Sequence, residues 1–209
     1  MLVVDASASM AWRGTEQRLT KLDYATRFAA ALAMVLLRQR DATGLVTFDE
    51  AVRTLLPARA RAGQWTMLAN TLASTAPGQG TAADVALTQV VSALRRRGMV
   101  VLISDLLLDR DLTLKALRFL RHRGHQVLVV HIADPAELDL ARGDETRFRD
   151  PESGKAVTLA PSDWGEAYRE TVLGVVRAWG SACRAAGVRY ALVPTDLPFG
   201  PALQRALSA

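Results

Sequence analysis

A chain of 209 residues that is 50% apolar and 22% charged can bury a sizeable core, and that balance excludes a disordered tail. Its net charge of +5 comes mostly from arginines scattered along the chain, and their tightest cluster, Arg95-Arg96-Arg97, has no aromatic residues interleaved, which argues against a nucleic-acid interface. A lone cysteine, Cys183, excludes an internal disulfide or a thiolate metal cluster, and the longest apolar run, Phe28 to Leu37, is about half of what a bilayer-spanning helix needs.

The chain opens on Leu2–Asp5, a short apolar run that reads as a strand, with no basic leader ahead of it. From Lys21 to Gln39 the residues Leu22, Ala25, Phe28, Ala29, Leu32, Val35 and Leu36 recur at three and four, the period of a helix. Gly44–Phe48 is the next strand. Only Asp49 and Glu50 separate it from Ala51–Leu56, too few residues for a helical crossover. The two therefore form a hairpin, and the second is an antiparallel edge strand that Pro57 is expected to end. Thr81 to Arg97 is helical, with Arg95-Arg96-Arg97 at its end, and Met99–Ser104 is again a strand. A helix over Leu112 to Arg123 leads to a strand at Gln126–Ile132. Thr146–Arg149 and Ala156–Leu159 flank the turn-forming Asp150-Pro151-Glu152-Ser153-Gly154, which predicts a small inserted hairpin around 144–160. Cys183 falls in a long helical pattern as a small buried side chain, and Val188–Val193 is the last strand. Continuous apolar strands alternating with helices predict an α/β fold: a doubly wound, Rossmann-like, mostly parallel sheet with one antiparallel edge strand and helices on both faces. One domain over 1–209 is the economical reading.

In such sheets ligands bind beyond the carboxyl ends of the strands, so the residues just after each strand matter most. After the first strand stands Asp5-Ala6-Ser7-Ala8-Ser9, and Met99–Ser104 is followed by Asp105. Pro77-Gly78-Gln79-Gly80-Thr81 opens a helix, with two glycines for a tight turn and Thr81 at the N-cap position. Two carboxylates and three hydroxyls, with no nitrogen or sulfur, form a hard donor set suited to Mg²⁺ or Mn²⁺ with water completing the octahedron. An incomplete shell leaves room for a carboxylate from another molecule. Taken singly, each loop is also what an ordinary helix cap looks like.

Asp5-Ala6-Ser7-Ala8-Ser9 resembles the Asp-x-Ser-x-Ser signature of von Willebrand factor A domains, and Gly80-Thr81 and Asp105 match that family's other two loops. The resemblance implies a metal-ion-dependent adhesion site. In it Ser7, Ser9 and Thr81 would bind the metal through their hydroxyls, and Asp5 and Asp105 mainly through water. A narrower resemblance rests on Lys21-Leu22-Asp23-Tyr24-Ala25, Gly44-Leu45, Thr47-Phe48, Arg97-Gly98, Val101-Leu102-Ile103-Ser104-Asp105 and Asp150-Pro151-Glu152-Ser153-Gly154 followed by Tyr168. These are similar to the bacterial domain of unknown function 58 family. That likeness implies a C-terminal part of a longer protein with a membrane anchor upstream, this segment being cytoplasmic, and a partnership with MoxR-type AAA+ ATPases. One departure is that Ala82 and Ala83 precede Asp84 where a carboxylate often follows the metal-binding threonine more closely.

The function expected is non-enzymatic: a divalent cation presents an open position to an acidic side chain of a protein partner. Two alternatives stand beside it. A phosphatase-like hydrolase would use Asp5 as nucleophile, but its second carboxylate would stand where the chain has Ser7. The other is a domain of the same fold whose degenerate site binds partners without metal. His122, His125 and His131 read as structural, Trp12 as either rim or packing, and Arg13 and Arg18 as solvated cations.

Overall fold

A computed structural model describes residues 1–78, 83–94, 96–139, 146–149, 156–159 and 161–209. The elements run β1 (Leu2–Asp5), a 3₁₀ turn (Ala8–Ala11), α1 (Lys21–Arg38), β2 (Thr43–Phe48), β3 (Val52–Arg59), α2 (Gln64–Ala73) and α3 (Ala83–Ala93). They continue with β4 (Met99–Ser104), α4 (Arg110–His122), β5 (Gln126–Ala133), α5 (Pro135–Leu138), β6 (Thr146–Arg149), β7 (Ala156–Leu159), α6 (Pro161–Ala185), β8 (Arg189–Pro194) and α7 (Phe199–Ser208). Strands β6 and β7 pair antiparallel in a sheet of their own, at the predicted hairpin; its turn, 150–155, lies outside the described residues.

The main sheet has the order β3-β2-β1-β4-β5-β8. All its pairings are parallel except β2 with β3. The predicted doubly wound sheet with one antiparallel edge is therefore what the chain forms. Strands β1, β2 and β4 are buried nearly throughout because both faces are covered. On one face Leu2, Val4 and Val101 pack with Leu22, Phe28 and Leu32 of α1, Leu68 of α2 and Ala202 of α7. On the other, Val3, Val46 and Leu102 pack with Leu87 and Val90 of α3, Leu117 of α4 and Cys183 of α6. Alternation along each strand thus feeds two cores, and the six longer helices divide three to a face, the short α5 joining neither core. No helix among the described residues is long and apolar enough to cross a membrane.

Strand β3 departs from expectation by running through Pro57 to Arg59. On an edge, a proline's missing N–H costs no ladder bond, and the Pro57 carbonyl instead accepts from Gln64 Nε2 at 3.1 Å. The register shifts between Thr43 and Leu45, and Gly44 sits there because a Cβ would stand 2.6 Å from the Leu56 oxygen. Helix α2 was not legible in the sequence: its first buried residue is Gln64, whose Nε2 also donates to the Thr43 carbonyl at 2.8 Å. Helix α3 ends at Ala93, before the arginine run, because the chain must already be extending toward β4.

Helix α1 starts at Thr20, whose hydroxyl accepts from the Asp23 N–H at 3.0 Å. It ends in a Schellman arrangement, with Asp41 N–H donating to Leu36 O and Arg40 N–H to Leu37 O. The left-handed position of that motif, φ 64°, is held by Arg40 rather than glycine. Arg40 is exposed. Arg40→Gly is expected to stabilise the protein by about 1 kcal/mol, read as a higher urea midpoint with unchanged slope; a lower midpoint would contradict this account of the cap.

A candidate metal site at the carboxyl ends of β1 and β4

From β1 the chain winds to β2 and β3 on one side, and later to β4, β5 and β8 on the other. The order of strands reverses at β1, so the carboxyl ends of β1 and β4 lie at the edge where sheets of this kind bind ligands. The register sets Val4 opposite Ile103, which places Asp5 beside Ser104 and Asp105 at that edge. Three of the loops singled out in the sequence lead here.

Asp5 is fully buried. Its Oδ1 accepts from the Ser7 N–H at 2.9 Å and its Oδ2 from the Ser104 hydroxyl at 2.6 Å. Burial, followed by the negative charge of Asp105, pushes its pKa up to about 6 against those hydrogen bonds. The Ser7 and Ser9 hydroxyls hydrogen-bond each other, their oxygens 3.2 Å apart. Adjacent ligands of an octahedral ion with bonds near 2.1 Å stand about 3 Å apart, so this pair has the spacing of two neighbouring coordination positions. Asp105 is 5% exposed. Its Oδ1 accepts from the Leu107 N–H at 3.2 Å, while its Oδ2 accepts no aligned hydrogen bond. What Oδ2 has is the Lys21 ammonium at 2.8 Å.

The third loop is stitched to the first. The Gly78 N–H donates to the Ala6 carbonyl at 2.6 Å, and Ala6 N–H in turn to Phe48 O at 2.7 Å. A Cβ on residue 78 would stand 2.2 Å from Asp49 Oδ2, so only glycine lets the chain pass. Thr81, with Gly80 and Ala82, lies outside the described residues, as does the side chain of Asp84. The anchored turn at Gly78 is three residues before Thr81.

Residues not assigned a role in the sequence complete the surroundings. Lys21 begins α1 and is 1% exposed; its ammonium bridges Asp105 and Glu137 Oε1, the latter at 2.5 Å. Burial disfavours that charge, but the two carboxylates outweigh it and hold the pKa above the ordinary lysine value. A cation on the first turn opposes the helix dipole, and that local conflict was the one signal in the sequence that Lys21 answers to something beyond its helix. The Trp12 ring stands 5.8 Å from the ammonium. Glu137 is also half of a capping box with Asp134, a pattern that Asp134-Pro135-Ala136-Glu137 spells out. Arg18 is not a solvated cation: its Nη1 donates to the buried Asp134 carboxylate at 2.8 Å. Gly14 N–H and the Thr195 hydroxyl donate to the same group, which ties the segment after the serine loop to the end of β5. His131 hydrogen-bonds the Tyr190 hydroxyl at 2.7 Å, and burial lowers its pKa to about 4, so it is neutral at pH 7.

Just past Asp105, Leu106 adopts φ 57°, a left-handed conformation that costs a leucine about 1 kcal/mol. It persists because Leu106 N–H is held by the Ser104 hydroxyl at 2.9 Å and its side chain is buried in the core.

Among the described residues no group of three or more His, Cys, Asp or Glu side chains is placed to hold a metal. The donor set here is of another kind, two hydroxyls and two carboxylates, one of them ion-paired with Lys21. Those donors fit a hard divalent cation such as Mg²⁺ or Mn²⁺.

The sequence profile described as "Protein of unknown function DUF58" matches residues 1–172. An uncharacterized protein of Mycobacterium tuberculosis and one of Mycobacterium bovis are each 34% identical to the chain over 158 residues, covering 73% of it and 48% of the relative. The chain thus spans about half the length of these relatives. Among solved structures, the BatB protein of Bacteroides thetaiotaomicron superimposes with a TM-score of 0.63 at 18% identity, over 99% of this chain and 95% of that one. An aerotolerance-related membrane protein of Bacteroides fragilis gives 0.62 at 18% identity, over 100% and 98%. At that identity the likeness is one of fold.

Proposed function

The chain belongs to the DUF58 family, and we propose that it is a non-enzymatic interaction domain that holds one Mg²⁺ or Mn²⁺ at the carboxyl ends of β1 and β4 and docks a protein partner through it. In this reading Ser7, Ser9 and Thr81 offer their hydroxyls to the ion, and Asp5 and Asp105 act mainly through bound water. An acidic side chain of the partner takes the open position. The observation that carries the reading is the pair of Ser7 and Ser9 oxygens, 3.2 Å apart beside two buried carboxylates at the point where strand order reverses. The family resemblance adds a MoxR-type AAA+ ATPase as the candidate partner.

Asp5 is a poor candidate nucleophile. It is fully buried and both its oxygens accept hydrogen bonds from the protein, whereas a phosphoryl acceptor must face the substrate. One observation favours the metal-independent reading: Lys21 already sets a cation 2.8 Å from Asp105. Calorimetric titration of the metal-stripped protein with Mg²⁺ and Mn²⁺, beside a Ser7→Ala, Ser9→Ala variant, separates the two. One-site binding that the variant loses is the expected result. Heat that survives in the variant, or none in either, would leave Lys21 as the resident cation and remove the metal from the mechanism.

A further inference from the structure

The edge of the sheet opposite the candidate metal site holds a separate cavity. Strands β1, β2, β4 and β5 begin at that edge and the antiparallel β3 ends there. The cavity has a volume of about 1010 Å³ and opens to solvent. Small-molecule sites span roughly 300–1,000 Å³, so this one admits an organic ligand. Part of its lining is apolar: Leu2, Leu94 and Val101 are buried, and Leu55 of β3 is 47% exposed.

The polar part is cationic. Arg59 ends β3, and Arg96 and Arg97 stand between α3 and β4. All three are exposed, and none has an ion pair among the described residues. Asp41 is the one carboxylate in the described lining. Burial lowers the pKa of the Met1 amino group to about 6 and holds His125 below the ordinary histidine value. Both are therefore largely neutral at pH 7.5, and three guanidinium groups against one carboxylate leave a net charge of +2.

Arginines near a helix end usually serve only the dipole and the solvent. Two observations set these apart. Arg97 lies across Gly124, where a Cβ would stand 3.1 Å from its Nε, so the turn after α4 leaves it room in the wall. Next in the chain, His125 is 2% exposed, and its Nδ1 makes no aligned hydrogen bond although the Gly98 and Leu94 carbonyls are near. Its backbone is fixed, the N–H donating to Leu120 O at 3.1 Å and the carbonyl accepting from Arg121 at 2.8 Å. A buried polar atom without a partner calls for an explanation. Here it stands in the wall of a cationic cavity, and as the Nδ1–H tautomer it is a donor.

We propose that this cavity is a second binding site, which takes a phosphate monoester carried on an aliphatic or aromatic body. Arg59, Arg96 and Arg97 meet the phosphate, His125 donates to it, and the body packs on Leu55 and Leu94. A monoester carries a charge of about −1.5 to −2 at pH 7, which matches the lining, and guanidinium forks bind it in bidentate fashion. The inference stands apart from the metal-dependent reading, because the two sites lie at opposite edges of the sheet.

The test is calorimetric titration of the metal-stripped protein, in chelator-free buffer, with hexyl phosphate and with inorganic phosphate. It is repeated on an Arg96→Gln, Arg97→Gln variant and on Leu55→Ser. All three positions are exposed, so the melting temperatures should match the parent. The expected result is one-site binding of hexyl phosphate, at least about ten-fold tighter than that of inorganic phosphate. The double variant should weaken hexyl phosphate by at least about ten-fold, and Leu55→Ser by about three-fold. Equal affinity for the two ligands, no binding of hexyl phosphate, or binding that either variant leaves unchanged overturns the inference. A lipid head group carries the same chemistry as a free ester, so co-sedimentation with vesicles of phosphatidic acid, against phosphatidylcholine, separates the sources. Hexyl phosphate binding together with selective sedimentation supports a lipid, and binding without sedimentation supports a free ester. Sedimentation without hexyl phosphate binding overturns the site.

Discussion

Asp5→Asn is expected to stabilise the metal-free protein at pH 7.5 while weakening Mg²⁺ or Mn²⁺ binding by at least about 10-fold. The two effects have one cause. Asp5 is fully buried, and its pKa rises from 3.8 to about 6 because burial and the neighbouring Asp105 charge both disfavour the carboxylate. The folded chain therefore binds more protons than the unfolded chain between those two values. Stability falls as pH rises through that window and stays low above it. A shift of about two units corresponds to about 3 kcal/mol, and about 1–3 kcal/mol is expected to return when the charge is removed. Asparagine can keep the local geometry: its oxygen accepts from the Ser7 N–H, and its amide donates to the Ser104 oxygen, which now only accepts.

Urea unfolding in chelator at pH 7.5 and pH 4 checks this. The advantage of Asp5→Asn over the parent should be largest at pH 7.5 and shrink towards pH 4, where the parent carboxyl is neutral in the folded state and partly so in the unfolded one. A variant less stable than the parent at pH 7.5 would show that the carboxylate is already compensated, and a site with no unmet charge has little use for a cation.

Lys21→Met should act in the opposite direction. The ammonium is 1% exposed and lies between Asp105 at 2.8 Å and Glu137 at 2.5 Å. Removing it leaves a buried Asp105 carboxylate with its Oδ2 bare, and losing one member of a buried ion pair costs about 3–5 kcal/mol. Methionine has nearly the same length, so lost packing contributes little. The metal titration gives the second readout. With one positive charge gone from beside Asp105, a divalent ion should bind several-fold more tightly and restore part of the lost stability in proportion to its occupancy. A stability loss under about 1 kcal/mol, or an affinity unchanged by the substitution, would mean that Lys21 is solvated and electrically remote from the site.

Both substitutions probe a difference between what local residue patterns encode and what folding brings together. The parallel strands, the hairpin edge and the helices of α1 and α4 were legible because period and composition are local: Val100, Leu102 and Ile103 are apolar whatever lies beyond them. So were Asp5, Ser7, Ser9 and Asp105, since a residue at the end of a strand in a doubly wound sheet stands at the ligand edge. Helix α2 escaped, because its anchor is a glutamine whose partners, Thr43 and Pro57, are on another element. The edge strand running past Pro57 escaped for the same reason, an edge being defined by the neighbour that is missing.

The sequence by itself determined the sheet, its alternation with helices and the polar identity of the loops at its carboxyl edge, all properties of residues read a few positions at a time. Only the tertiary structure decided the charge state of that edge. Lys21 meets both Asp105 and Glu137, the latter 116 residues away in the chain, and Arg18 turns inward to Asp134 instead of outward to a partner. Electrostatic interactions depend on distance and burial, and neither is written in the chain until strands β1, β4 and β5 lie side by side.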